Sequence, residues 1–520
     1  MIKLKIDNIE YTAQEGTPVI EAARAASKDI PSMCFREGKE HITSCMVCLV
    51  KDSKTGRLFP SCSVKATEGM EIITLDDEIH EARKTALELL LSEHVGDCEA
   101  PCQITCPAHM NIPLMNRLLA AGNFDEALKV VKRDIALPAV FGRICPAPCE
   151  GACHRKTLDE AVSICLLKRY AGDQDLEKAA AWIPQKEKDK GKKVAIIGSG
   201  PAGLAAAWYL QLRGYHCEVY DRHAAAGGSM HREVESGKLP LSVLEKEIAI
   251  IGKTGVRFHL NEPVDAGKFN TLKASFDAVI IATGQGTDKV KDWGLELHEK
   301  GIVAGHDTYQ VGDSGIFVTG SALRPSKLAI RTLGQGKETA FSVSQFLEGK
   351  EVKGEVLMFN SRFGRLMREE AMEYLKESIE GKRLEPQDIQ QGFTREEVMQ
   401  EASRCMHCDC RAIDNCSLRI LSDRYHADQK RFKSDERKKI VKQFQHETVV
   451  YELSKCIRCG ICVEICKEHS EAFGFTFIGR GFDIEIGIPF DESTREALNE
   501  VAGEVVEKCP TGALSWKRGW

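Results

Sequence analysis

The 520-residue sequence has no run of 18 or more apolar residues, so it predicts no membrane span. Its first residues, MIKLKIDNIEYTAQEG, lack the apolar core of a signal peptide, which predicts a cytoplasmic protein. There is no excess of positive charge, since the formal net charge is −6, and this argues against a nucleic-acid partner. Histidines and carboxylates are scattered without paired spacing, so no residue is predicted as a catalytic acid or base.

Cysteine, by contrast, is abundant, with 21 residues in the chain. A cytoplasmic protein keeps its thiols reduced, so disulfide bonds do not account for this number. The cysteines are also clustered, and none lies between Cys217 and Cys405. Clustered thiols in a reducing compartment indicate metal binding, and runs with two-residue gaps are typical of iron–sulfur sites.

The chain divides into segments of different periodicity. Short β-like runs alternate with turns over residues 1–80, as in a small β-grasp module. A helical pattern extends from Asp76 to about Ala180, and a charged, solvated linker follows at Ile183–Lys193. Residues 194–350 are typical of βαβ units, 351–400 are polar and helical, and 401–520 carry the last cysteines. The patterns predict a multidomain fold of the α+β and α/β classes.

A glycine-rich loop opens the βαβ region. KKVAIIGSGPAGLAAAWYLQLRGYHCEVYD runs from a strand at Val194–Ile197 through three glycines into a helix, and a second strand ends at Asp221. The glycines allow a tight turn and close approach of the backbone to a pyrophosphate, which a helix N-terminus favours. Asp221 follows Gly198 by 23 positions, close to the usual ribose-binding offset. The pattern predicts a dinucleotide site without distinguishing FAD from NAD.

Four motifs in this region resemble the FAD domain of the glutamate synthase small subunit family. They are GSGPAG, the pair Gly227 and Gly228, AVIIATG at Ala278–Gly284 and GIFVTGSA at Gly315–Ala322. The resemblance implies that FAD is bound by Gly198, Gly200, Pro201, Ala202, Gly203, Asp221, Arg222, Gly228, Ala282, Thr283, Gly284, Gly320 and Ser321.

The sequence departs from that family in two ways. The family inserts an NADPH domain with its own glycine fingerprint, whereas only 30 residues separate Gly284 from Gly315 here, and they contain no second fingerprint. The nicotinamide domain is therefore predicted to be missing, because 30 residues are barely one βαβ unit. Ser321 also stands where the family usually has an aspartate near the flavin, so a different flavin environment is expected.

The first cysteine group has the spacing Cys34-x10-Cys45-x2-Cys48-x13-Cys62. This differs from plant-type ferredoxins. It resembles the N-terminal domain of the large iron–sulfur subunit of respiratory complex I and of related hydrogenase and formate dehydrogenase subunits. The resemblance implies one [2Fe–2S] cluster on the loops of a β-grasp fold.

The stretch SEHVGDCEAPCQITCP (Ser92–Pro107), with GRICPAPCEGACHR (Gly142–Arg155), resembles the helical domain shared by glutamate synthase small subunits and dihydropyrimidine dehydrogenase. A buried helical stripe of cysteines and a disulfide are the structural alternatives. The resemblance implies two [4Fe–4S] clusters, one sharing Cys98, Cys102 and Cys153 and the other sharing Cys106, Cys145 and Cys149. Each set lacks one ligand. His94 stands near one missing position, as in the complex I subunit where a histidine at this offset is a ligand, and Cys165 stands near the other.

Two further cysteine groups lie near the C-terminus. Cys405-x2-Cys408-x1-Cys410-x5-Cys416 predicts a [4Fe–4S] site, with zinc as the alternative metal. Cys456-x2-Cys459-x2-Cys462 is followed by Cys466 and, much later, by Cys509 before a proline. The resemblance to the complex I subunit implies that Cys509 completes this [4Fe–4S] site. Cys217 and Cys466 are then left over, and 19 thiolates with His94 fill five four-ligand sites.

We therefore predict five domains: a β-grasp [2Fe–2S] domain (1–78), a helical domain with two [4Fe–4S] clusters (79–190), a Rossmann-like FAD domain without nicotinamide insertion (191–350), a helical linker with the Cys405–Cys416 site (351–430) and a C-terminal ferredoxin-like [4Fe–4S] domain (431–520).

The resemblances imply an electron-transfer subunit of a larger cytosolic oxidoreductase, in an assembly capable of flavin-based electron bifurcation. The expected partners are an NADH- and FMN-binding subunit like that of complex I, a small [2Fe–2S] subunit, and ferredoxin or a catalytic redox subunit such as a hydrogenase, formate dehydrogenase or tungsten enzyme. The alternatives are a self-contained NAD(P)H-dependent reductase of the glutamate synthase type and a scaffold protein with relic sites.

Overall fold

The computed structural model describes residues 1–286, 290–433 and 437–517. The N-terminal region forms a five-stranded mixed sheet in the order β2-β1-β5-β3-β4, with one helix packed on it. The alternating sequence of β1 buries Ile2, Leu4 and Ile6 against Val19 and Ile20 of the helix. The elements are β1 (Ile2–Ile6), β2 (Ile9–Ala13), α1 (Val19–Ala25), β3 (Leu49–Asp52), β4 (Leu58–Pro60) and β5 (Glu71–Ile73). The predicted β-grasp module is confirmed.

A helical region follows. It consists of α2 (Asp77–Glu93), α3 (Pro101–Thr105), α4 (Ile112–Ala120), α5 (Phe124–Asp134), α6 (Pro138–Ile144), α7 (Pro148–Gly151) and α8 (Ile164–Glu177). Asp76 caps α2 by accepting a hydrogen bond from the Ile79 N–H group at 2.8 Å. Helices α6 and α8 pack closely because a Cβ atom at Gly142 would lie 2.5 Å from Arg169 Cα, so no larger residue fits. The predicted helical region is confirmed.

The central region is a doubly wound α/β fold. Its parallel sheet has the order β12-β9-β6-β7-β8. The elements are β6 (Lys193–Ile197), α9 (Pro201–Leu212), β7 (His216–Tyr220), α10 (His231–Glu235), α11 (Leu241–Lys253), β8 (Arg257–His259), α12 (Ala266–Ser275), β9 (Ala278–Ile281), β10 (Leu297–His298), β11 (Gly301–Ile302), β12 (Ile316–Val318) and α13 (Ala329–Leu347). The apolar runs of β6 and β9 are buried, as expected for parallel strands covered on both faces. In the described part of residues 285–314, the strands present are the short hairpin of β10 and β11.

The last region mixes short helices and strands. They are α14 (Arg368–Leu375), α15 (Arg395–Ser403), α16 (Ser417–Arg424), β13 (Lys442–Gln443), β14 (Val449–Glu452), α17 (Ile461–Glu468), β15 (Thr476–Ile478), β16 (Glu485–Gly487), α18 (Thr494–Ala497), α19 (Ala502–Lys508) and β17 (Leu514–Trp516). Strands β13, β14 and β17 form one antiparallel sheet, and β15 pairs with β16. The ferredoxin-like C-terminal region is confirmed.

The chain forms two compact units that do not follow the linear order of these regions. Unit 1 comprises Met1–Glu99, Met358–Lys376 and Cys408–Trp520, and unit 2 comprises Ala100–Leu357 and Glu377–His407. Unit 2 is thus inserted into the sequence of unit 1. The boundaries of the five predicted domains stay a prediction. None of the helices in the described ranges combines the length and apolar character needed to cross a bilayer.

Candidate iron–sulfur and dinucleotide sites

The four N-terminal cysteines lie together on the loops of the β-grasp sheet. Cys34, Cys45, Cys48 and Cys62 are all buried, and the sulfur atoms of Cys34 and Cys45 are 3.4 Å apart. Hydrogen bonds from Cys45 and Cys62 lower the pKa of Cys34 to about 2, and Cys62 lowers the pKa of Cys48 to about 7. The same hydrogen bonds raise the pKa values of Cys45 and Cys62. The predicted set therefore forms one group of interacting thiols, which is the donor set for a [2Fe–2S] cluster.

In unit 1, Cys98 lies with Cys410 and Cys416. The Cys410 N–H group donates to the Cys98 carbonyl oxygen at 3.0 Å, and the Ser361 N–H group donates to the Cys98 sulfur at 3.4 Å. Burial first, and then the neighbouring Cys410 and Cys98, raise the pKa of Cys416 to about 12. A Cβ atom at Gly512 would lie 2.2 Å from the Cys410 sulfur. The thiol therefore packs directly against the backbone of Gly512, where a larger residue would clash with it.

The resemblance implied that Cys98 shares a site with Cys102 and Cys153, which belong to unit 2, and that shared site stays a prediction. Of the Cys405–Cys416 run, Cys410 and Cys416 lie with Cys98 in unit 1 and Cys405 belongs to unit 2, so the single site predicted for this run also stays a prediction. The chain leaves unit 1 after Glu99, whose carboxylate is held there by Arg419 at 3.0 Å.

His94 ends α2 four positions before Cys98. Its side chain is 8% exposed, and among the described residues its Nδ1 atom has no hydrogen-bond partner. Burial above all, and then the charge of Lys455, lower the pKa of His94 to about 4, so the imidazole is neutral at pH 7. A backbone hydrogen bond to Lys455 acts in the opposite direction. A neutral, buried imidazole with one ring nitrogen unpartnered is the arrangement of a histidine ligand.

Lys455 is buried at the centre of this group. Its Nζ atom donates to Glu452 at 2.7 Å. Burial raises the pKa of Cys98 to about 11, and the charge of Lys455 acts in the opposite direction. Lys442 and Arg411 also lie within 4 Å of the Glu452 carboxylate. His94, Cys98, Cys410 and Cys416 therefore surround a buried network of charges, and we name them the His94 group.

In unit 2, four cysteines form a second complete set, the Cys106 group: Cys106, Cys145, Cys149 and Cys165. The Cys165 thiol donates to the Cys145 carbonyl oxygen at 4.0 Å. A hydrogen bond with Cys145 lowers the pKa of Cys165, whereas a hydrogen bond with Cys149 and burial raise it. The net result is a pKa of Cys165 raised to about 11. A hydrogen bond with Cys165 raises the pKa of Cys145. Cys165 thus lies with Cys145 and Cys149, and its role as the fourth ligand of this set stays a prediction.

Three other thiols of unit 2 lie on segments that are tied together. Helix α3, which carries Cys102, packs on α7, which precedes Cys153. The Arg155 guanidinium donates to the Arg404 carbonyl oxygen at 2.6 Å, which holds the segment before Cys405 close to Cys153. Burial raises the pKa of Cys153, and Arg404 acts to lower it. The structure thus brings Cys405 to the part of unit 2 that carries Cys102 and Cys153.

The C-terminal set lies around one cavity in unit 1. Cys456, Cys459, Cys462 and Cys509 all line it, together with Tyr451 and other apolar side chains. Cys466 does not line this cavity, and its thiol donates to the Ala497 carbonyl oxygen at 3.7 Å. Cys217 is buried in unit 2 on β7. Cys217 therefore lies apart from the thiol groups, whereas Cys466 does not line the cavity but is near enough to contribute to the raised pKa of Cys462.

The three groups of unit 1 are close to one another. Burial, and then neighbouring thiols that include Cys509 and Cys34, raise the pKa of Cys459. Cys509 likewise contributes to the raised pKa of Cys416. The C-terminal set therefore has one thiol near the N-terminal set and one near the His94 group.

No three histidine, cysteine or acidic side chains of the described ranges converge as tightly as one metal ion requires. Whether the Cys405–Cys416 run binds an iron–sulfur cluster or zinc stays a prediction. The fit to iron–sulfur clusters rests on the thiol groups themselves, and at the His94 group also on the unpartnered Nδ1 atom.

The glycine-rich loop lies at the mouth of a cavity of about 870 Å³ in unit 2. A Cβ atom at Gly198, where φ is +112°, would lie 2.3 Å from the Ala282 carbonyl oxygen, and one at Gly203 would lie 1.9 Å from the Gly198 carbonyl oxygen. Gly200 has no protein atom within 4 Å of its Cβ position and faces the cavity. The loop thus packs tightly on one side and leaves the other side open for a ligand, as a pyrophosphate requires.

Most of the predicted cofactor residues line this cavity. They are Gly198, Gly200, Pro201, Ala202, Asp221, Arg222, Gly228, Ala282, Thr283, Gly284 and Ser321. Gly203 and Gly320 do not line it and act in packing, since a Cβ atom at Gly320 would lie 2.8 Å from Ala202 Cβ. Sequence motifs gave no signal for Arg232, Trp293, Lys327 and Thr332, which also line the cavity because the chain returns to it from distant segments.

Both carboxylate oxygens of Asp221 accept hydrogen bonds from neighbouring protein groups. Its Oδ2 atom accepts hydrogen bonds from the N–H and hydroxyl groups of Ser199, at 2.8 and 2.6 Å. Its Oδ1 atom accepts from the His223 N–H group at 2.9 Å and lies 2.8 Å from His223 Nδ1. A carboxylate has about four acceptor positions, and these contacts fill them. Asp221 therefore fixes the loop, and its predicted contact with a ribose stays a prediction.

The cavity adjoins the Cys106 group. Ile144 lines the cavity, and Cys145 is the next residue. On the other side, a Cβ atom at Gly334 of α13 would lie 2.2 Å from the carbonyl oxygen of Pro107, the residue after Cys106. Within unit 2, a dinucleotide in this cavity would thus lie against the residue that precedes Cys145.

The fold and these sites define a multidomain protein with iron–sulfur domains and a Rossmann-like nucleotide-binding domain. Family models agree segment by segment. Residues 1–77 match a "2Fe-2S iron-sulfur cluster binding domain" and residues 77–180 match "Dihydroprymidine dehydrogenase domain II, 4Fe-4S cluster". Residues 196–255 match an "NAD(P)-binding Rossmann-like domain", and residues 446–515 match the "NADH-quinone oxidoreductase subunit 3, ferredoxin-like domain".

Among curated proteins, the chain is similar to subunit beta of the NADPH-Fe(3+) oxidoreductase of Geobacter sulfurreducens, with 39% identity over 39% of this chain and 30% of that protein. It is 36% identical to subunit beta of the NADP(+)-dependent formate dehydrogenase of Moorella thermoacetica, over 36% of this chain and 29% of the relative. It is 38% identical to the glutamate synthase [NADPH] small chain of Bacillus subtilis, over 36% of this chain and 40% of that protein. The chain thus spans 29–40% of the length of these relatives.

Proposed function

We propose that this chain is an electron-transfer subunit of a multi-subunit oxidoreductase, with FAD in the cavity of unit 2 and five iron–sulfur clusters. The observation that carries the proposal is the position of the cavity, which Ile144 lines directly before Cys145 of the Cys106 group. FAD exchanges electrons in pairs or singly and iron–sulfur clusters carry one at a time, so a cavity beside thiol ligands suits the conversion between them.

The cluster ligands follow from the groups described above. We assign a [2Fe–2S] cluster to Cys34, Cys45, Cys48 and Cys62. We assign [4Fe–4S] clusters to the His94 group, to the Cys106 group and to Cys456, Cys459, Cys462 and Cys509. A fourth [4Fe–4S] cluster uses Cys102, Cys153 and Cys405 of unit 2. Cys408 keeps its predicted role as a ligand on its spacing alone, and we assign it to no cluster. Nineteen thiols and His94 then serve as ligands.

The dinucleotide cavity fits FAD in its volume and in its loop. A cavity of about 870 Å³ lies in the range of small-molecule sites. The open side of Gly200 and the start of α9 would hold the pyrophosphate, where free N–H groups and the helix dipole favour anions. Arg232 and Lys327 line the same cavity and supply positive charge toward a phosphate or a reduced flavin ring.

In unit 1 the positions of the three thiol groups favour one sequence of electron transfer. The N-terminal set is next to the C-terminal set, and the C-terminal set is next to the His94 group. All three contribute residues to one buried core. We propose that a partner like the NADH- and FMN-binding subunit of complex I, with a small [2Fe–2S] subunit, delivers electrons at the N-terminal set. Ferredoxin or a catalytic redox subunit exchanges them elsewhere.

The test is anaerobic purification from the native host under conditions that preserve complexes. We expect about 18 irons and one FAD per chain, because one [2Fe–2S] and four [4Fe–4S] clusters contain 18 irons. Co-purifying subunits should include an FMN protein, and NADH or NADPH should reduce the clusters only in its presence. Stoichiometric flavin with iron near zero would contradict the proposal.

The names of the relatives favour one alternative, a reductase that takes electrons directly from NADPH. Two of the three names contain the word NADPH. Bleaching of bound flavin by NADPH in the isolated chain would support that alternative and exclude the need for an FMN partner. Bifurcation by the assembled complex stays a hypothesis. It requires that reduction of a low-potential ferredoxin by the pyridine nucleotide depends strictly on a second, higher-potential acceptor.

A further inference from the structure

Lys168 is a buried lysine whose amine contacts a thiol of the Cys106 group. It lies one turn after Cys165 on α8, so both side chains are on the same face of the helix. Lys168 is 3% exposed, and its Nζ atom donates to the Cys165 sulfur at 3.8 Å.

Among the described residues, no carboxylate oxygen lies within 4 Å of the Lys168 amine, because the nearby acids have other partners. Asp173 pairs with Arg143 at 2.6 Å, Asp175 pairs with Lys132, and Glu150 pairs with Arg383 at 2.8 Å. A buried ammonium group without a counter-charge costs several kcal/mol. The Cys165 sulfur, which the Lys168 amine contacts at 3.8 Å, therefore supplies that counter-charge.

The other buried lysine beside a thiol group is in a different situation. Lys455 of unit 1 donates to Glu452 at 2.7 Å, so a carboxylate already balances part of its charge. Lys168 therefore places an unshared positive charge at a thiol group whose residue Cys145 directly follows Ile144 of the cavity lining. Net charge and hydrogen bonds to sulfur are two of the main determinants of cluster potential.

We propose that Lys168 is a positioning residue that raises the reduction potential of the cluster at the Cys106 group, and so makes this cluster the acceptor of electrons from a reduced flavin in the cavity. The inference rests on the proposed function. The step is the transfer of one electron from the reduced flavin to the oxidised cluster. No bond to the cluster forms or breaks, and the lysine amine keeps its proton while its charge stabilises the added electron.

The experiment is an anaerobic redox titration of the full chain, followed by electron paramagnetic resonance. The Cys106→Ala variant identifies the signal of this cluster as the one that is lost. Lys168→Met removes the charge at similar volume, Lys168→Arg keeps the charge, and Lys129→Met removes an exposed charge from α5 as a control.

At the wild-type midpoint, we expect Lys168→Met to lower the ratio of reduced to oxidised cluster at least tenfold, which is 59 mV for one electron. Lys168→Arg and Lys129→Met should stay within about twofold of wild type. An unchanged midpoint in Lys168→Met with full iron content overturns this inference alone. If Lys168→Met loses four irons, the Lys168→Arg variant decides. Retention of the cluster signal in Lys168→Arg supports the role of the charge, and loss of the cluster signal in Lys168→Arg overturns the inference. Unchanged iron and signals in Cys106→Ala overturn the cluster assignment and the inference together.

Discussion

A pair of glycine substitutions tests the dinucleotide site because the two positions differ in what their Cβ atoms meet. Gly200 has φ −72°, which any residue adopts, and its Cβ position has no protein atom within 4 Å. Gly200→Ala should therefore fold normally, with a cost of about 1 kcal/mol for alanine at the N-cap of α9. Its methyl group points into the space assigned to the pyrophosphate.

The expected loss of FAD affinity follows from the hydrogen bonds that the methyl group prevents. Hydrogen bonds to a charged group contribute about 1.5–3 kcal/mol each. Loss of two such bonds costs at least about 3 kcal/mol, which raises the Kd for FAD roughly 150-fold. Gly203→Ala should instead destabilise the fold, since its Cβ atom would lie 1.9 Å from the Gly198 carbonyl oxygen.

The assay combines the ratio of flavin to protein after purification, FAD titration of the flavin-depleted chain and thermal unfolding. Gly267→Ala on α12 is the matched control, because its Cβ atom would lie 3.4 Å from Asp265 and the residue does not line the cavity. We expect Gly200→Ala to unfold within a few degrees of wild type and to lack flavin. Wild-type affinity for FAD in Gly200→Ala would refute the placement of the pyrophosphate at this loop.

Three further predictions concern ligands and pH. Cys98→Ala and Cys410→Ala should each remove the same paramagnetic signal, which Cys102→Ala leaves in place; different lost signals would contradict the His94 group. Glu247 is buried, accepts hydrogen bonds from two N–H groups at the start of α6, and has a pKa raised by burial to about 8. The folded chain therefore holds this proton longer than the unfolded chain, and stability should fall between pH 4.5 and 8 by up to about 5 kcal/mol, a slope that Glu247→Gln should remove from thermal unfolding curves; parallel curves would disprove it. Cys466→Ala should keep full iron content and every signal, and a loss of four irons would make Cys466 a ligand.

Local sequence patterns predicted the elements and the dinucleotide loop well. The apolar runs of β6 and β9, the glycines after β6 and the helical periodicity after Asp76 all have the expected structure. These features depend on steric and hydrophobic rules that act over a few residues, so they are readable from a short window.

The grouping of the thiols depends on tertiary structure and could not be predicted in the same way. Cys98 and Cys102 are four positions apart in the sequence, yet the chain passes from one unit to the other between Glu99 and Ala100. The hydrogen bond from Cys410 to Cys98 joins residues more than 300 positions apart. Spacing predicts which residues are ligands, whereas long-range packing determines which of these residues lie together.

The insertion of unit 2 into unit 1 has a consequence for biosynthesis. Cys98 leaves the ribosome 312 residues before Cys410, and translation at about 5–20 residues per second makes that delay roughly 15–60 seconds. Throughout this interval the nascent chain exposes two of the four ligands that we propose for the His94 group. On that proposal, a cluster can be inserted there only after Cys416 has been synthesised, and oxidants or competing metals encountered earlier would find His94 and Cys98 unprotected.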